Sequence, residues 1–323
     1  MHSYNDLLKI INSELNKLNF DKEPQNLYQP INYVIKNGGK RIRPVLTLMS
    51  CELFGGDYKN AVSSALAIEI FHNFTLLHDD MMDNADVRRG NPTVHIKWND
   101  NIALLSGDAM SIIAYKLISE SPVNLTDILN TFSNTALNIC EGQQYDMDFE
   151  DNPDVSEEEY IKMITLKTAV LLACSLRIGA LSANAKQEDC ENIYEFGKNL
   201  GTAFQLQDDF LDVYGDTNKF GKNIGGDIIL NKKTFLLIKA LKEAKGQDYQ
   251  NLIHWINAKD FNNQEKINAV ITIFNNLNIK EYTLQNMEKY YNKAYEIFDK
   301  IPIENERKKV VIDFAESLRR RDC

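Results

Sequence analysis

Apolar residues recur at three- and four-residue spacing along almost the whole chain, and strand-like alternation is nearly absent. This period predicts helices over residues 3–19, 25–36, 43–54, 58–83, 99–120, 124–147, 156–184, 187–214, 232–245, 248–259, 264–277, 281–300 and 304–320. Ser156 followed by Glu159 in "VSEEEY" forms a capping box that opens one of them. Breaks fall at "NGGKRIRP", "RRGNP", "SPVN", "DNPD" and the glycine-rich "GDTNKFGKNIGGD". No linker composition, low-complexity tract or internal repeat divides the chain, so the expectation is one all-α domain over residues 1–323.

With 44% apolar residues among 323, the chain can bury one large core or two ordinary ones. A formal charge of -10 argues against nucleic acid as the main partner. An anionic ligand would therefore need local basic groups or metal ions. The longest apolar run, "AVLLACSLRIGAL", is interrupted by Arg177, and the N-terminal stretch reads as an amphipathic helix instead of a leader peptide. The expectation is a cytoplasmic protein with no transmembrane segment. Five cysteines without CxxC spacing read as reduced thiols.

The stretch "HDDMMD" concentrates charge. On an ideal helix Asp79 and Asp83 lie about 40° apart, with Asp80 further round, so three carboxylates share one edge. Carboxylates that close raise each other's pKa unless a cation lies among them. Oxygen-only ligands at this spacing suit Mg²⁺, which keeps waters and bridges carboxylates to phosphates. One such cluster is equally a solvated acidic helix end. "FQLQDDFLD" repeats the spacing with Asp208, Asp209 and Asp212, again closing an apolar helical run. If the two helices face each other, the clusters can hold two or three Mg²⁺ and grip a diphosphate.

Four basic islands could complete such a site. "NGGKRIRP" offers Lys40, Arg41 and Arg43 beside two glycines, ahead of a helix opened near Pro44. Arg88 and Arg89 follow the first cluster, either as phosphate donors or in salt bridges to Asp86 or the cluster itself. Lys167 and Thr168 interrupt an apolar helix, the lysine either snorkelling to the surface or entering a polar cavity. Lys222 and Lys232 flank the glycine-rich loop after the second cluster, which either closes over phosphate or is plain surface. His72 lies within about 20° of Asp79 on the wheel, facing the same space, although a lone histidine in an apolar helix is as readily a core residue. His78 and His95 receive no role. The "RRRDC" tail either folds over an anion or is solvated.

"GGKRIRP", "LLHDDMMDNADVRRGNPTVH", "LKTA", "FQLQDDFLD" and "GKNIGGDIILNKKT", in this order and over nearly the full chain, resemble the trans-isoprenyl diphosphate synthases, or polyprenyl synthetases. The resemblance implies an isoprenoid-synthase-type helical bundle around a central cavity, usually a homodimer, with Mg²⁺ at the cavity mouth. It implies head-to-tail 1'-4 condensation of isopentenyl diphosphate with an allylic diphosphate (dimethylallyl, geranyl or farnesyl). Matched by motif, Asp79, Asp80, Asp83, Asp208, Asp209 and Asp212 resemble the metal ligands. Arg88, Lys167, Lys222 and Lys232 resemble allylic diphosphate contacts, and Lys40, Arg43, His72 and Arg89 the isopentenyl diphosphate pocket. Thr168 and Gln205 match residues beside the reacting carbons. "GDAMS" and "EGQQYDMDF" match weaker family positions and read as packing or support. Leu230 and Asn231 depart from the acidic residue and glycine often found before the loop lysine, which leaves Lys233 as a rival to Lys232.

In this family the departing diphosphate is neutralised by metal and basic residues, a delocalised carbocation forms, and the alkene attacks it in a dry cavity. No protein general base is required. An aromatic five residues before the first aspartate limits chain growth, which assigns the floor to Phe74 with Phe71 beside it. The ideal wheel puts Phe74 about 140° from Asp79, so this assignment rests on the resemblance. The expected product is C15 to C20, with geranylgeranyl diphosphate favoured over farnesyl diphosphate because "DDMMD" lacks two extra residues between its aspartates. The competing readings are a terpene cyclase, which would lack the Lys40 and Arg43 pocket, and a non-catalytic synthase subunit, which would have a degraded cluster.

Overall fold

The computed structural model describes residues 1–152, 154–215 and 224–320. The 3.6-residue pattern resolves into helices α1 (Tyr4–Lys17), α2 (Gln25–Lys36), α3 (Ile42–Leu53) and α4 (Val62–Met82), the last entered through a 3₁₀ turn at Tyr58–Ala61. A two-strand hairpin, β1 (Val87–Arg88) and β2 (Asn91–Pro92), precedes α5 (Val94–Lys97), α6 (Asp100–Ser119) and α7 (Leu125–Asp151). Then come α8 (Glu157–Ile164), a π-helical turn at Thr165–Ala169, α9 (Val170–Ser182) and α10 (Gln187–Tyr214). The remainder is α11 (Gly226–Ile229), α12 (Phe235–Glu243), α13 (Gly246–Asn257), α14 (Asn263–Asn276), α15 (Ile279–Asp299) and α16 (Asn305–Arg319).

Two of the predicted helices, 25–36 and 187–214, have the observed limits, and most others end within a few residues of theirs. Ser156 does cap α8, accepting from the Glu159 amide while the Glu159 carboxylate accepts from the Ser156 amide. The hairpin, α5 and α11 were not predicted, because elements of two to four residues carry no measurable period. Nor was the π turn, which splits the span read as one helix over 156–184.

Contacts sort the chain into two compact units. The first comprises Met1–Asn134, Cys174–Ile193 and Ile303–Val311. Its centre is α4, which buries Ala65 through Phe71, and α3, which buries Pro44 through Cys51. Gly179 lets α9 come so close to α3 that a Cβ there would lie 2.2 Å from the Thr47 carbonyl oxygen. The second unit comprises Thr135–Ala173, Tyr194–Pro302 and Ile312–Cys323. It holds one apolar cluster around Leu236, Leu252, Val270 and Phe274, and another around Phe149, Met163, Leu206 and Phe235.

Two stretches, Asp100–Ser119 and Glu157–Ser182, are long and apolar enough to cross a bilayer by length and composition alone. Most of the second is buried inside the protein, as a core helix would be. The four described cysteines, Cys51, Cys140, Cys174 and Cys190, are free thiols.

Candidate active site

In the first unit the basic island and the first aspartate cluster meet. Arg41, with a left-handed φ of 51°, is buried, and its guanidinium donates to Glu69 Oε1 and the Ile35 carbonyl, both at 2.5 Å. That anchor consumes Arg41 structurally. Arg43 Nη1 donates to His72 Nε2 at 3.1 Å. Burial, then the charges of Arg43, Arg89, Arg88 and Arg41, hold His72 well below the usual histidine range, so it is the neutral partner. Lys40 is exposed beside this pair in sequence.

Arg89 donates to the Gly38 carbonyl and lies over Gly39, where a Cβ would be 2.9 Å from three guanidinium atoms. The glycine pair thus makes room for Arg89. Arg88 and Arg89 are placed by the hairpin, whose turn residues Arg89 and Gly90 have φ of 52° and 75°. Two successive positive φ values match the twist of a tight hairpin. Arg88 Nε donates to Asp80 Oδ1 at 2.5 Å, so the salt bridge to the cluster, one of the two alternatives, is present. Asp80 is buried, and burial raises its pKa against the opposing pull of Arg88. Asp83 is exposed and Asp79 half-buried.

Upstream on α4, the Phe71 ring is 5.3 Å from that of Phe74 and 5.1 Å from that of Phe132 on α7. Phe74 stands edge-on to His78 at 4.7 Å, and Phe132 touches Tyr115 at 5.1 Å. His78, given no role from the sequence, packs where α4 and α6 meet: a Cβ on Gly107 would lie 2.2 Å from its Nε2.

In the second unit Lys167 is half-buried and its ammonium meets Asp146 Oδ2 at 2.5 Å, an ion pair in place of a solvated head group. Lys167 and Thr168 both belong to the π turn, a form that widens the helix and is common at functional sites. Glycines flank it closely. A Cβ on Gly142 of α7 would lie 2.3 Å from the Lys167 amide nitrogen, and one on Gly201 of α10 would lie 2.7 Å from Ala169 Cα.

The second aspartate cluster differs from the first in its partners. Asp209 is buried and accepts from the Tyr160 hydroxyl and, at 3.1 Å, from Gln205 Nε2. Burial pushes its pKa up to about 7; Asp227 adds to that, while the Tyr160 and Gln205 hydrogen bonds and Lys232 oppose it. Asp212 Oδ2 accepts from the Asp227 amide at 3.0 Å, and Asp208 is exposed. Lys233 Nζ donates to the Asn152 carbonyl at 2.8 Å, whereas the charge of Lys232 is felt at Asp209. Of the two rivals, Lys232 is the one beside the cluster. Lys222 lies outside the described residues, as does the tail beyond Arg320. Within the tail, Arg319 pairs with Glu288 at 2.6 Å and accepts from Gln207 through its carbonyl at 2.8 Å.

Three residues here escaped the sequence reading: Tyr160, Asp227 and, as the partner of Lys167, Asp146. Asp146 lay within the "EGQQYDMDF" segment read as support and Asp227 within the "GKNIGGDIILNKKT" motif, while Tyr160 carried no signal. Among the described residues no three carboxylate, histidine or cysteine side chains converge as a ready-made metal cage. The donors are all carboxylate oxygens, and Mg²⁺ commonly takes only one or two of these, completing its shell from phosphate and water. The residues therefore fit Mg²⁺ held together with a phosphate ligand.

The protein is all-α, and each of its two units sets carboxylates beside cationic side chains, Asp80 beside Arg88 in the first and Asp146 beside Lys167 in the second. The polyprenyl synthetase family model matches residues 24–274, and the chain belongs to that family, as its motifs indicated. A geranylgeranyl diphosphate synthase of Saccharolobus solfataricus is 37% identical over 316 residues, with 94% of each chain covered. A geranylfarnesyl diphosphate synthase of Natronomonas pharaonis is 31% identical, covering 96% of this chain and 94% of that one. Among solved structures, a geranylgeranyl pyrophosphate synthase superposes with a TM-score of 0.93 at 43% identity, covering 98% of both chains. The fold is the all-α fold of the prenyl synthases.

Proposed function

We propose that this protein is a Mg²⁺-dependent trans-prenyltransferase. It joins isopentenyl diphosphate head-to-tail to dimethylallyl, geranyl or farnesyl diphosphate, giving an all-trans product of C15 to C20. Geranylgeranyl diphosphate is favoured, since the geranylgeranyl relative is 37% identical and the geranylfarnesyl one 31%. The observation that carries the reading is the presence of two intact aspartate clusters, each with cationic side chains at hand, together with a hydrogen-bonded Arg43–His72 pair. That pair weighs against a cyclase, and the intact clusters weigh against a non-catalytic subunit.

Two or three Mg²⁺ ions, when bound, supply the positive charge that stabilises a departing diphosphate. Asp79, Asp80, Asp83, Asp208, Asp209 and Asp212 are the residues that would hold them. Arg88, Lys167, Lys232 and Lys222 bind the allylic diphosphate oxygens, and Asp146 holds the Lys167 ammonium on its π turn. Lys40, Arg43 and Arg89 bind isopentenyl diphosphate. His72, kept neutral, orients the Arg43 fork without competing for the anion as a proton donor of variable charge. Thr168 and Gln205 present a hydroxyl and an amide dipole to the carbon that becomes cationic. Phe71 and Phe74 set the chain length, with Phe132 edge-on to Phe71 and Tyr115 edge-on to Phe132.

The enzyme is proposed to be a soluble, cytoplasmic homodimer. Leu104, Leu105 and Ile112 on α6 are 49%, 60% and 70% exposed, an apolar face that a second copy would cover. The test is incubation with Mg²⁺, labelled isopentenyl diphosphate and each allylic primer, followed by sizing of the dephosphorylated products. A C15 or C20 alcohol that lengthens in Phe74→Ala is expected. Metal-independent turnover, or no incorporation with any primer, overturns the reading.

A further inference from the structure

The turn that presents Lys232 is held by residues with no place in the chemistry above. Beyond the end of α11 at Ile229, Asn231 takes a left-handed φ of 53°, which asparagine tolerates better than most residues other than glycine. Both ends of its side chain are engaged. Nδ2 donates to the Ile256 carbonyl at 2.9 Å, and Oδ1 accepts from Lys266 Nζ at 2.7 Å. The same ammonium donates to the Ile229 carbonyl at 3.2 Å and lies 4.2 Å from the Phe261 ring centroid. Lys266 is only 1% exposed. An ammonium taken out of water is costly unless its hydrogen bonds are replaced, and here the replacements are two oxygens of this one turn.

The neighbouring contacts point the same way. Ile267, next to Lys266 on α14, fills the space over Gly225, where a Cβ would lie 2.7 Å from its Cδ1. Helix α14 thus splints the segment at both ends, at Gly225 and at Asn231. The Lys232 amide donates to the Asp227 carbonyl at 2.9 Å, and the Lys232 carbonyl accepts from the Thr234 amide at 2.7 Å. The Lys232 backbone is thus fixed on both sides.

We infer that Lys266 and Asn231 are positioning residues for Lys232: the buried ammonium closes the Ile229–Asn231 turn and so sets the direction from which Lys232 addresses the second aspartate cluster and its diphosphate. This rests on the reading of Lys232 as a diphosphate contact. It also explains how asparagine can stand where a glycine is common before the loop lysine.

A double-mutant cycle tests it. Steady-state rates are measured with varied allylic diphosphate and with varied isopentenyl diphosphate for the wild type, Lys266→Met, Lys232→Ala and the double variant. Misplacing a charged contact by about 1 Å costs up to roughly a hundredfold, so Lys266→Met is expected to lower kcat/KM for the allylic diphosphate by about ten- to a hundredfold. The KM for isopentenyl diphosphate should stay within about twofold, and in the Lys232→Ala background the loss should vanish. An equal loss in both backgrounds, or unchanged kinetics in folded Lys266→Met, overturns the inference. If Lys266→Met does not fold, Asn231→Ala, which keeps the contact of Lys266 to the Ile229 carbonyl, is carried through the same cycle with the same expectations. Absence of incorporation by the wild type would instead overturn the functional reading itself, and with it this inference.

Discussion

The two aspartate clusters are spelled alike and built differently. In the first, the buried central residue, Asp80, is met by a full positive charge from Arg88. In the second, the buried central residue, Asp209, is met by two neutral donors, Tyr160 and Gln205, with Asp227 adding to the repulsion. The first cluster arrives with part of its charge already balanced from the chain. In the second, burial outweighs the Tyr160 and Gln205 hydrogen bonds and the charge of Lys232, and the Asp209 pKa climbs to about 7. Repetition of a motif therefore does not imply repetition of its electrostatics.

The comparison breaks most sharply in turnover. Removing one preorganised electrostatic group costs about 10²- to 10³-fold. Asp79→Asn and Asp208→Asn are each expected to lose that much kcat, measured as incorporation of labelled isopentenyl diphosphate. Asp146→Asn, which frees the Lys167 ammonium, should cost about tenfold in kcat/KM for the allylic diphosphate, less because the charge itself survives.

Stability should separate the clusters by size. In the metal-free protein at pH 8, Asp209→Asn removes a buried carboxylate that is charged at a cost, and should stabilise by about 1 kcal/mol or more in urea unfolding. Asp80→Asn also removes a carboxylate whose pKa burial raises, but it strips the partner from Arg88, so the two effects offset and the change should stay within about 1 kcal/mol. Burial raises the Asp209 carboxyl from its ordinary 3.8 to about 7 on folding, so the folded state takes up the extra proton and gains stability as pH falls from 7 towards 4. Asp209→Asn should abolish that gain, which urea unfolding across this range would show.

The smallest effects sharpen the picture. Tyr160→Phe removes a hydrogen bond that lowers the Asp209 pKa, so in the metal-free protein the stability gained on acidification should set in at higher pH, as urea unfolding across pH would show. His72 behaves oppositely to Asp209. Its folded pKa lies well below 6.5, so below pH 6.5 the unfolded chain binds the proton and stability falls as pH falls, by up to about 1.4 kcal/mol per unit. His72→Gln should flatten that slope in thermal unfolding.

The helices were legible because an amphipathic period sustained over three or more turns leaves little alternative, as the observed limits of α2 and α10 show. The aspartates were legible because a spacing that occurs twice is hard to assign to solvated surface. What stayed hidden was pairing at a distance. Asp146 finds Lys167 across 21 positions and Tyr160 finds Asp209 across 49, and each lies in a polar stretch, "EGQQYDMDF" and "SEEEY", where the local pattern singles out no residue as a distant partner. Arg41 was hidden in the other direction: it sits in a basic motif, yet its guanidinium is spent on Glu69. The choice between Lys232 and Lys233 also needed coordinates, since adjacent lysines differ only in where the backbone aims them.

A π turn is what remains when a helix accommodates one surplus residue without breaking. Seen this way, Thr165–Ala169 records an insertion, and everything N-terminal to it is wound about 100° out of phase with a continuous helix. Substitution can change which atoms Lys167 and Thr168 offer, but not the phase in which they are offered. Only a deletion could restore the uninterrupted spiral, and it would rotate α8, with Tyr160, away from Asp209 in the same stroke.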